Sequence, residues 1–265
     1  AEYLISHGYS TGSNPWAVGP YATGNKSAGI RDYAINRNPL QYGDYGFDST
    51  GPEVHADGEI WNAVQYDVRK ALVKKYERRF PSSDRRLQRH CASGTGTSST
   101  LPADRCPGNR RWLQLMFDSF LLQQGATSML DARDAMLAAD KMRFRGANQR
   151  TLWSAFAANG MGVDAQTPNA DSHQPRPGYR VPGTKPATVR LAARAGGKNA
   201  PGRFLIGHYE ARVTPVADTL GGTKLRNVVK LAPGTYPLLF QGKGTGMHRG
   251  RITVKAGQRV TKVMK

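Results

Sequence analysis

The sequence is poor in cysteine: its only two, Cys91 and Cys106, flank a stretch rich in serine, threonine and glycine. These two thiols and the adjacent His90 do not complete the tetrahedral ligand set of a structural zinc site. A disulfide between them implies an oxidising, extracellular compartment, because cytosolic thiols are kept reduced. Two unrelated buried thiols are the alternative, but both cysteines stand in polar sequence. The sequence therefore favours a Cys91–Cys106 disulfide.

Long apolar runs are also missing. No stretch of 18 or more apolar residues occurs, so no membrane span is predicted. The first residues, Ala1-Glu2-Tyr3-Leu4-Ile5, have neither the basic region nor the cleavage site of a signal peptide. They are typical of the middle of an amphipathic helix that ends near Gly8. We therefore expect a chain processed or cleaved from a longer polypeptide.

Acidic residues are scarce, above all in the C-terminal part. The chain has 38 Lys and Arg against 19 Asp and Glu, a net charge of +19. From Ala187 onward, 15 basic residues face only Glu210 and Asp218, a net charge of +13. Such a basic excess favours an anionic partner for this part of the chain.

The stretch Gly51–Trp61 predicts the start of the longest helix. Proline suits the first helical position, so the helix is expected to begin near Pro52, with Gly51 or Thr50 as its cap, and to run to about Tyr76. His55 then lies in its first turn, at the edge of a cleft. The apolar residues at helical spacing that would face the core are Trp61, Val64, Val68, Leu72 and Val73.

Three further helices are predicted between residues 109 and 159. Ser128 and Asp131 form an acidic variant of the capping box at the start of the middle one. Residues 77–108 read as a basic loop that contains both cysteines. The predicted helices run from about Asn109 to Gln124, from Ser128 to about Met142 and from about Asn148 to Asn159.

The pattern changes after the helices. Residues 163–186 contain five prolines and predict a linker or a strap. From Ala187 the apolar period is two, which favours a small antiparallel β-sandwich. The fold class is therefore α+β, with a helical lobe over 1–162, a linker over 163–186 and a basic β-sandwich over 187–265. The basic residues predicted on its solvent face are Arg190, Arg212, Arg226, Lys230, Arg251, Lys255, Arg259 and Lys262.

Five short motifs follow one another between residues 29 and 157. In chain order they are Gly29-Ile30-Arg31-Asp32-Tyr33, Asn38-Pro39-Leu40-Gln41-Tyr42-Gly43-Asp44, Val54-His55, Asp131-Ala132-Arg133-Asp134-Ala135 and Trp153-Ser154-Ala155-Phe156-Ala157. Their order and spacing resemble the C-terminal lobe of thermolysin-like zinc metallopeptidases, and most closely the fungalysin branch. The resemblance covers about residues 1–162.

The resemblance implies roles for four residues. His55 would donate a hydrogen bond to the oxyanion formed during peptide hydrolysis, and Asp48 would orient its ring. Arg31 would hold a substrate carbonyl, and Ile30 would line the pocket for the residue after the cleaved bond. The residues alone leave other readings open: a histidine that caps a loop, and a surface arginine paired with a nearby aspartate.

The zinc-binding half of such an enzyme is missing from the sequence. Peptidases of this class need a His-Glu-x-x-His motif, and no two of the six histidines are four positions apart. The third zinc ligand of the family lies upstream of the residues that match Glu2-Tyr3-Leu4, and Glu2 does not match it. We therefore expect no metal ligand here, and zinc only in complex with an N-terminal peptidase chain that carries the motif.

These features predict the C-terminal chain of a secreted, extracellular zinc metalloendopeptidase that acts on peptide or protein substrates. The chain would supply substrate-binding and oxyanion-stabilising residues and would be inactive alone. The alternative is a non-catalytic binding or structural protein that attaches to an anionic polysaccharide or cell surface through its basic β-sandwich. Nucleic acid is a weaker candidate partner, because no aromatic residues alternate with the basic ones.

Overall fold

The computed structural model describes residues 2, 14–93, 100–209 and 214–265. The chain forms two compact units, Ala1–Asn38 with Trp61–Ala155, and Pro39–Ile60 with Phe156–Lys265. Helices dominate the described part of the first unit, and all described strands lie in the second, which confirms the α+β class. The predicted N-terminal helix falls outside the described residues except for Glu2. The three predicted segments of the chain stay a prediction.

Five α-helices of eight or more residues lie in the described part of the chain. They are α1 (Val54–Tyr76), α2 (Arg85–Ser93), α3 (Gly108–Phe120), α4 (Met129–Phe144) and α5 (Gln149–Ala158). Four of them match predicted helices, with ends displaced by at most four residues. The predicted stripe of α1 contributes to the core: Val64, Val68 and Leu72 are fully buried.

The predicted capping box at the start of α4 is confirmed. The Ser128 hydroxyl accepts the N–H of Asp131 at 3.1 Å, and the Asp131 carboxylate accepts the N–H of Ser128 at 2.9 Å. Two of the N–H groups that a helix start leaves unpaired are thereby satisfied. The signal is local in sequence, and for that reason it could be predicted without knowledge of the tertiary structure.

Helix α2 corrects the predicted loop over residues 77–108. Asp84 precedes it, and its carboxylate accepts the N–H of Leu87 at 3.0 Å. Its residues Arg85–Ser93 include a single large apolar side chain, Leu87, so no hydrophobic period announces the helix. Cys91 lies in this helix and is bonded to Cys106, with 5.9 Å between their Cα atoms. The predicted disulfide is confirmed.

A buried polar network joins Glu2 to the helices of the first unit. The Glu2 side chain is 5% exposed and forms an ion pair with Arg69. One Glu2 oxygen also accepts a hydrogen bond from the Asn109 side chain at 2.6 Å. The guanidinium of Arg69 lies 5.0 Å from the ring centroid of Trp16. These contacts leave the buried carboxylate of Glu2 paired with Arg69, whose side chain is 15% exposed, and hydrogen-bonded, as burial of a charge requires.

The Tyr42-Gly43-Asp44 motif is a buried turn of the second unit. It forms a 3₁₀ turn in which the Asp44 carboxylate accepts the N–H of Gln41 at 2.7 Å. The N–H of Tyr42 donates to the carbonyl of Asn159 at 3.0 Å. This motif therefore supports the fold around residues 39–60 rather than presenting groups to solvent.

The described residues of the second unit form two four-stranded sheets. In the first sheet, β1 pairs with β2, β5 and β8; the second sheet has the order β4-β3-β6-β7. The strands are β1 (Ala187–Ala195), β2 (Lys198–Asn199), β3 (Gly202–Ile206), β4 (Ala217–Asp218), β5 (Val228–Leu231), β6 (Gly234–Gly242), β7 (Gly246–Val254) and β8 (Arg259–Met264). Residues 210–213 lie outside the described residues.

One strand pair differs from the antiparallel arrangement that was predicted. β1 and β8 run parallel, with Thr188 opposite Arg259 and Ala193 opposite Met264. Parallel neighbours need a long connection, and the six strands between β1 and β8 supply it. Alternation of apolar residues is the same in both arrangements, so the sequence pattern did not distinguish them.

The inward side chains of both sheets belong to one hydrophobic cluster. Val189 and Leu191 of the first sheet and Phe204 and Phe240 of the second are among its buried members. The cluster also includes Tyr179, whose carbonyl accepts the N–H of Ala232 at 2.8 Å. The proline-rich segment 163–186 is therefore bonded to the first sheet, as a strap would be.

The strand register shows that the basic residues predicted on one solvent face lie on more than one face. Arg251 lies in the second sheet, and Lys262 pairs with the buried Leu191, so it lies on the inward side of the first sheet. Arg212 falls outside the described residues. Arg190, Lys230 and Arg259 do share the outward face of the first sheet, because each pairs with an outward neighbour.

Candidate functional site

Helix α1 begins at Val54 and is capped by the residue directly before it. The Glu53 carboxylate accepts the N–H groups of His55 and Ala56, both at 2.9 Å. Its negative charge also suits the positive end of the helix dipole. The cap is thus neither Gly51 nor Thr50, and the helix starts two residues later than the proline signal predicted.

The His55 ring is exposed and paired with the same carboxylate. Its Nδ1 lies 2.7 Å from Glu53 Oε1, and 68% of its side chain is accessible. Hydrogen bonds from the backbone N–H groups of His55 and Ala56, and then from the ring, lower the pKa of Glu53 to about 2. An ionised carboxylate only accepts hydrogen bonds, so Nδ1 must carry a proton. Within the described part of the chain, Nε2 has no hydrogen-bond partner.

A second carboxylate, that of Asp57, holds the backbone of the capping residue Glu53. Asp57 is 3% exposed; it accepts the N–H of Gly46 at 2.7 Å and that of Glu53 at 3.1 Å. Burial raises the pKa of Asp57 above its usual value, while these two hydrogen bonds oppose the rise. Because Asp57 holds the backbone of Glu53 and Glu53 holds the ring of His55, the imidazole is anchored through two carboxylates.

Tyr45 and His173 are two further titratable residues that interact electrostatically with Asp57. Their rings stack with 6.1 Å between centroids. Burial, and then the charges of Asp57 and Asp171, raise the pKa of Tyr45. His173 in turn favours the ionised form of Asp57 and lowers its pKa. Neither Tyr45 nor His173 was singled out from the sequence, because neither belongs to a local motif.

Asp48 is engaged in its own loop. Its carboxylate accepts the N–H of Ser49 at 2.6 Å and the hydroxyl of Thr50 at 3.0 Å. In the described residues, the carboxylate that contacts the His55 ring is that of Glu53. The sequence did contain a signal for Glu53, an acid within the first residues of a helix. Glu53 was overlooked as the cap because the helix was predicted to begin near Pro52, one residue before it.

Ile30 and Arg31 directly follow Gly29, whose backbone closely contacts that of Val18 in the first unit. Gly29 has φ of 77°, and a Cβ there would lie 1.9 Å from the carbonyl oxygen of Val18. The N–H of Ile30 donates to that oxygen at 2.8 Å, and its side chain is 46% exposed. Arg31 is partly exposed, and among the described residues its guanidinium forms no ion pair, with Asp32 or otherwise.

The depressed pKa of Glu53 predicts how the helix cap responds to acid. The contribution of the cap is complete above the ordinary value of 4.5 and is lost as the pH falls toward about 2. We expect the carboxyl ¹³C resonance of Glu53, assigned with the Glu53→Gln variant, to stay that of the ionised form from pH 6 to pH ~3. A titration midpoint near 4.5 in the folded protein would contradict the cap.

The described residues do not fit the zinc ion that the resemblance implies. No group of three or more His, Cys, Asp or Glu side chains is placed to hold a metal among them. Glu2 uses both of its carboxylate oxygens in contacts with Arg69 and Asn109. In the same residues, no helix is both long and apolar enough to cross a membrane.

Known proteins similar to this chain belong to one family of peptidases. The profile of the family described as Fungalysin metallopeptidase (M36) matches residues 2–165. The chain is 33% identical over 163 residues to Extracellular metalloproteinase MEP of Pyricularia oryzae. It is 30% identical over 160 residues to Extracellular metalloproteinase 3 of Trichophyton soudanense and of Trichophyton rubrum.

The matches cover 59% of this chain in all three cases. They cover 22% of the Pyricularia and T. rubrum proteins and 36% of the T. soudanense protein. The chain therefore matches about a fifth to a third of the length of these relatives. The matched part contains α1 with His55, and the two sheets lie beyond it.

Proposed function

Because this chain belongs to the fungalysin metallopeptidase family, we propose that it is the C-terminal portion of a secreted zinc metalloendopeptidase. Its task is to bind the substrate and to stabilise the negative charge that develops during peptide hydrolysis. The observation that carries the proposal is the exposed His55 ring, held through Nδ1 by an ionised Glu53 at the start of a helix.

His55 acts as a hydrogen-bond donor in this proposal. As water adds to the scissile carbonyl, charge builds on its oxygen, and a positioned donor stabilises that oxyanion more than the ground state. The Nδ1 N–H donates to Glu53, so the Nε2 N–H is the group that donates to the oxyanion.

Glu53 takes the orienting role that the family resemblance implied for Asp48. It contacts the ring at 2.7 Å, whereas the Asp48 carboxylate bonds within its loop. Arg31 holds a substrate carbonyl through its fork of N–H donors, and Ile30 lines the pocket for the residue after the cleaved bond. The 46% exposure of Ile30 supports its role.

Zinc and its activated water belong to another part of the enzyme. When bound, zinc would supply a nucleophilic hydroxide and polarise the substrate carbonyl. A partner segment or chain with the His-Glu-x-x-His motif supplies the ligands, and the much greater length of the relatives supports this arrangement. The family match, the relatives named extracellular and the Cys91–Cys106 disulfide support secretion.

The proposal is tested by comparing the isolated chain with native material. We expect the purified 265-residue chain to bind less than stoichiometric zinc and to leave casein intact. Intact-mass analysis and sequencing of the active native enzyme should identify a His-Glu-x-x-His segment together with this chain. Binding of one zinc ion by the isolated chain, together with casein cleavage, would contradict the proposal that the zinc site lies in another part of the enzyme.

A second function is favoured by the charge of the two sheets. In the described residues from 187 onward the only acidic side chain is Asp218, which is 5% exposed. Its carboxylate accepts hydrogen bonds from the N–H of Leu220 at 2.7 Å and the hydroxyl of Thr223 at 2.8 Å. The described surface of this region therefore carries many cations, and no exposed side-chain carboxylate of the same region neutralises them. We propose that it attaches the protein to an anionic surface.

A further inference from the structure

We propose that the outward face of the first sheet binds a linear acidic polysaccharide. This face, called the basic face below, consists of the outward side chains of β1, β5 and β8. The inference rests on the attachment function just proposed and assigns it to particular residues. The charged members of the basic face are Arg190, Arg194, Lys230 and Arg259.

The strand register arranges these side chains in rows. Thr188 lies between Lys230 on β5 and Arg259 on β8, and the Lys230 ammonium donates to the Thr188 hydroxyl at 2.6 Å. The next row along β1 places Arg190 between Val228 and Thr261. Neighbouring strands are about 4.8 Å apart, and residues two apart on a strand are separated by roughly 6.6 Å. Neighbouring cations are therefore spaced roughly 8–10 Å apart on an extended surface.

The chemistry of the basic face suits carboxylate or sulfate groups on sugars. Arginine offers paired N–H donors that match the oxygens of such groups. The hydroxyls of Thr188 and Thr261 can bond to sugar hydroxyls between the charges. Arg190, Lys230 and Arg259 are exposed, and no described carboxylate of this region competes for them. A chain with regularly spaced anions is the complementary ligand.

Other polyanions fit this face less well. Its side chains are Arg, Lys, Thr, Ala and Val, so it offers no aromatic ring for the stacking that single-stranded nucleic acid uses. Its exposed apolar residues, Val228 and Val263, are each only 36% accessible. It therefore lacks the large apolar side chains that insert into a lipid surface.

The second sheet provides a matched comparison. Its outward face also carries exposed cations, among them Arg203 and Arg251. There, however, Leu205 and Leu239 occupy neighbouring outward positions and are 4% and 1% exposed. Lys243 lies in the turn between β6 and β7. Removing three charges from this side changes the net charge as much as removing three from the basic face.

The test compares two triple variants of the full chain. Arg190→Gln/Lys230→Gln/Arg259→Gln removes three of the four charges of the basic face and keeps Arg194, and Arg203→Gln/Lys243→Gln/Arg251→Gln is the control. Affinity is measured at 150 mM NaCl for heparin, which carries sulfate, and for polygalacturonate, which carries carboxylate. We expect about 100-fold weaker binding for the first variant, because each cation near an anionic surface contributes about fivefold, and a change below about threefold for the control. The single variant Arg259→Gln should lose about fivefold.

The outcomes separate the inference from the function on which it rests. Equal losses in both triple variants would overturn the assignment to the basic face and leave attachment intact. If the wild-type chain binds neither polysaccharide, the attachment function fails as well. Tighter binding to single-stranded DNA or to vesicles with phosphatidylserine would overturn the choice of ligand. Preference between heparin and polygalacturonate identifies the anionic group.

Discussion

Replacement of His55 by alanine in the assembled peptidase is expected to lower kcat by about 100- to 1,000-fold and to change KM little. The reason is that an oxyanion donor acts on charge that exists only in the transition state. The 68% exposure of the side chain predicts that the variant folds normally, since no core contact is lost. Steady-state kinetics on a peptide substrate, with circular dichroism to verify folding, measure the effect.

Two further variants identify the group that orients the ring. Glu53→Gln should lower kcat by roughly 10- to 100-fold, because displacing a catalytic group by about 1 Å costs up to that factor. Asp48→Asn should leave kcat within about threefold, since its carboxylate bonds to Ser49 and Thr50. The opposite order of effects would return the orienting role to Asp48. An unchanged kcat in His55→Ala would remove the oxyanion role altogether.

Arg69→Ala is expected to destabilise the first unit by about 3–5 kcal/mol, the usual cost of removing one partner of a buried ion pair. The substitution leaves the Glu2 carboxylate, 5% exposed, without its counter-charge. It also removes the guanidinium that lies over the rings of Trp16 and Tyr66. Urea unfolding followed by tryptophan fluorescence measures the change in the free energy of unfolding.

A solvent-exposed ion pair supplies the matched control. Arg143 and Asp118 also form an arginine–carboxylate pair at 2.8 Å, but their side chains are 49% and 17% exposed. Exposed pairs contribute about 0–1 kcal/mol, so Arg143→Ala should change stability far less. Similar losses for the two variants would mean that the Glu2–Arg69 pair is not a buried structural contact.

Local sequence signals account for much of what could be predicted. The Ser128–Asp131 capping box, the apolar stripe of α1 and the alternation in the strands depend on residues a few positions apart. They were found in the structure with small shifts at their ends. Helix α2 was missed because its stability does not come from a recognisable apolar period, although Asp84 caps it.

The composition and motifs of the chain by themselves determined the α+β class, the disulfide and the family. They also placed His55 in the first turn of a long helix. Only the tertiary structure decided that Glu53 holds the ring, that β8 joins β1 in parallel and that Lys262 lies on the inward side. The physical reason is range: periodicity and capping act between near neighbours in sequence. Strand pairing, and the exact cap that a helix uses, depend on where distant segments such as Gly46 and β1 come to lie.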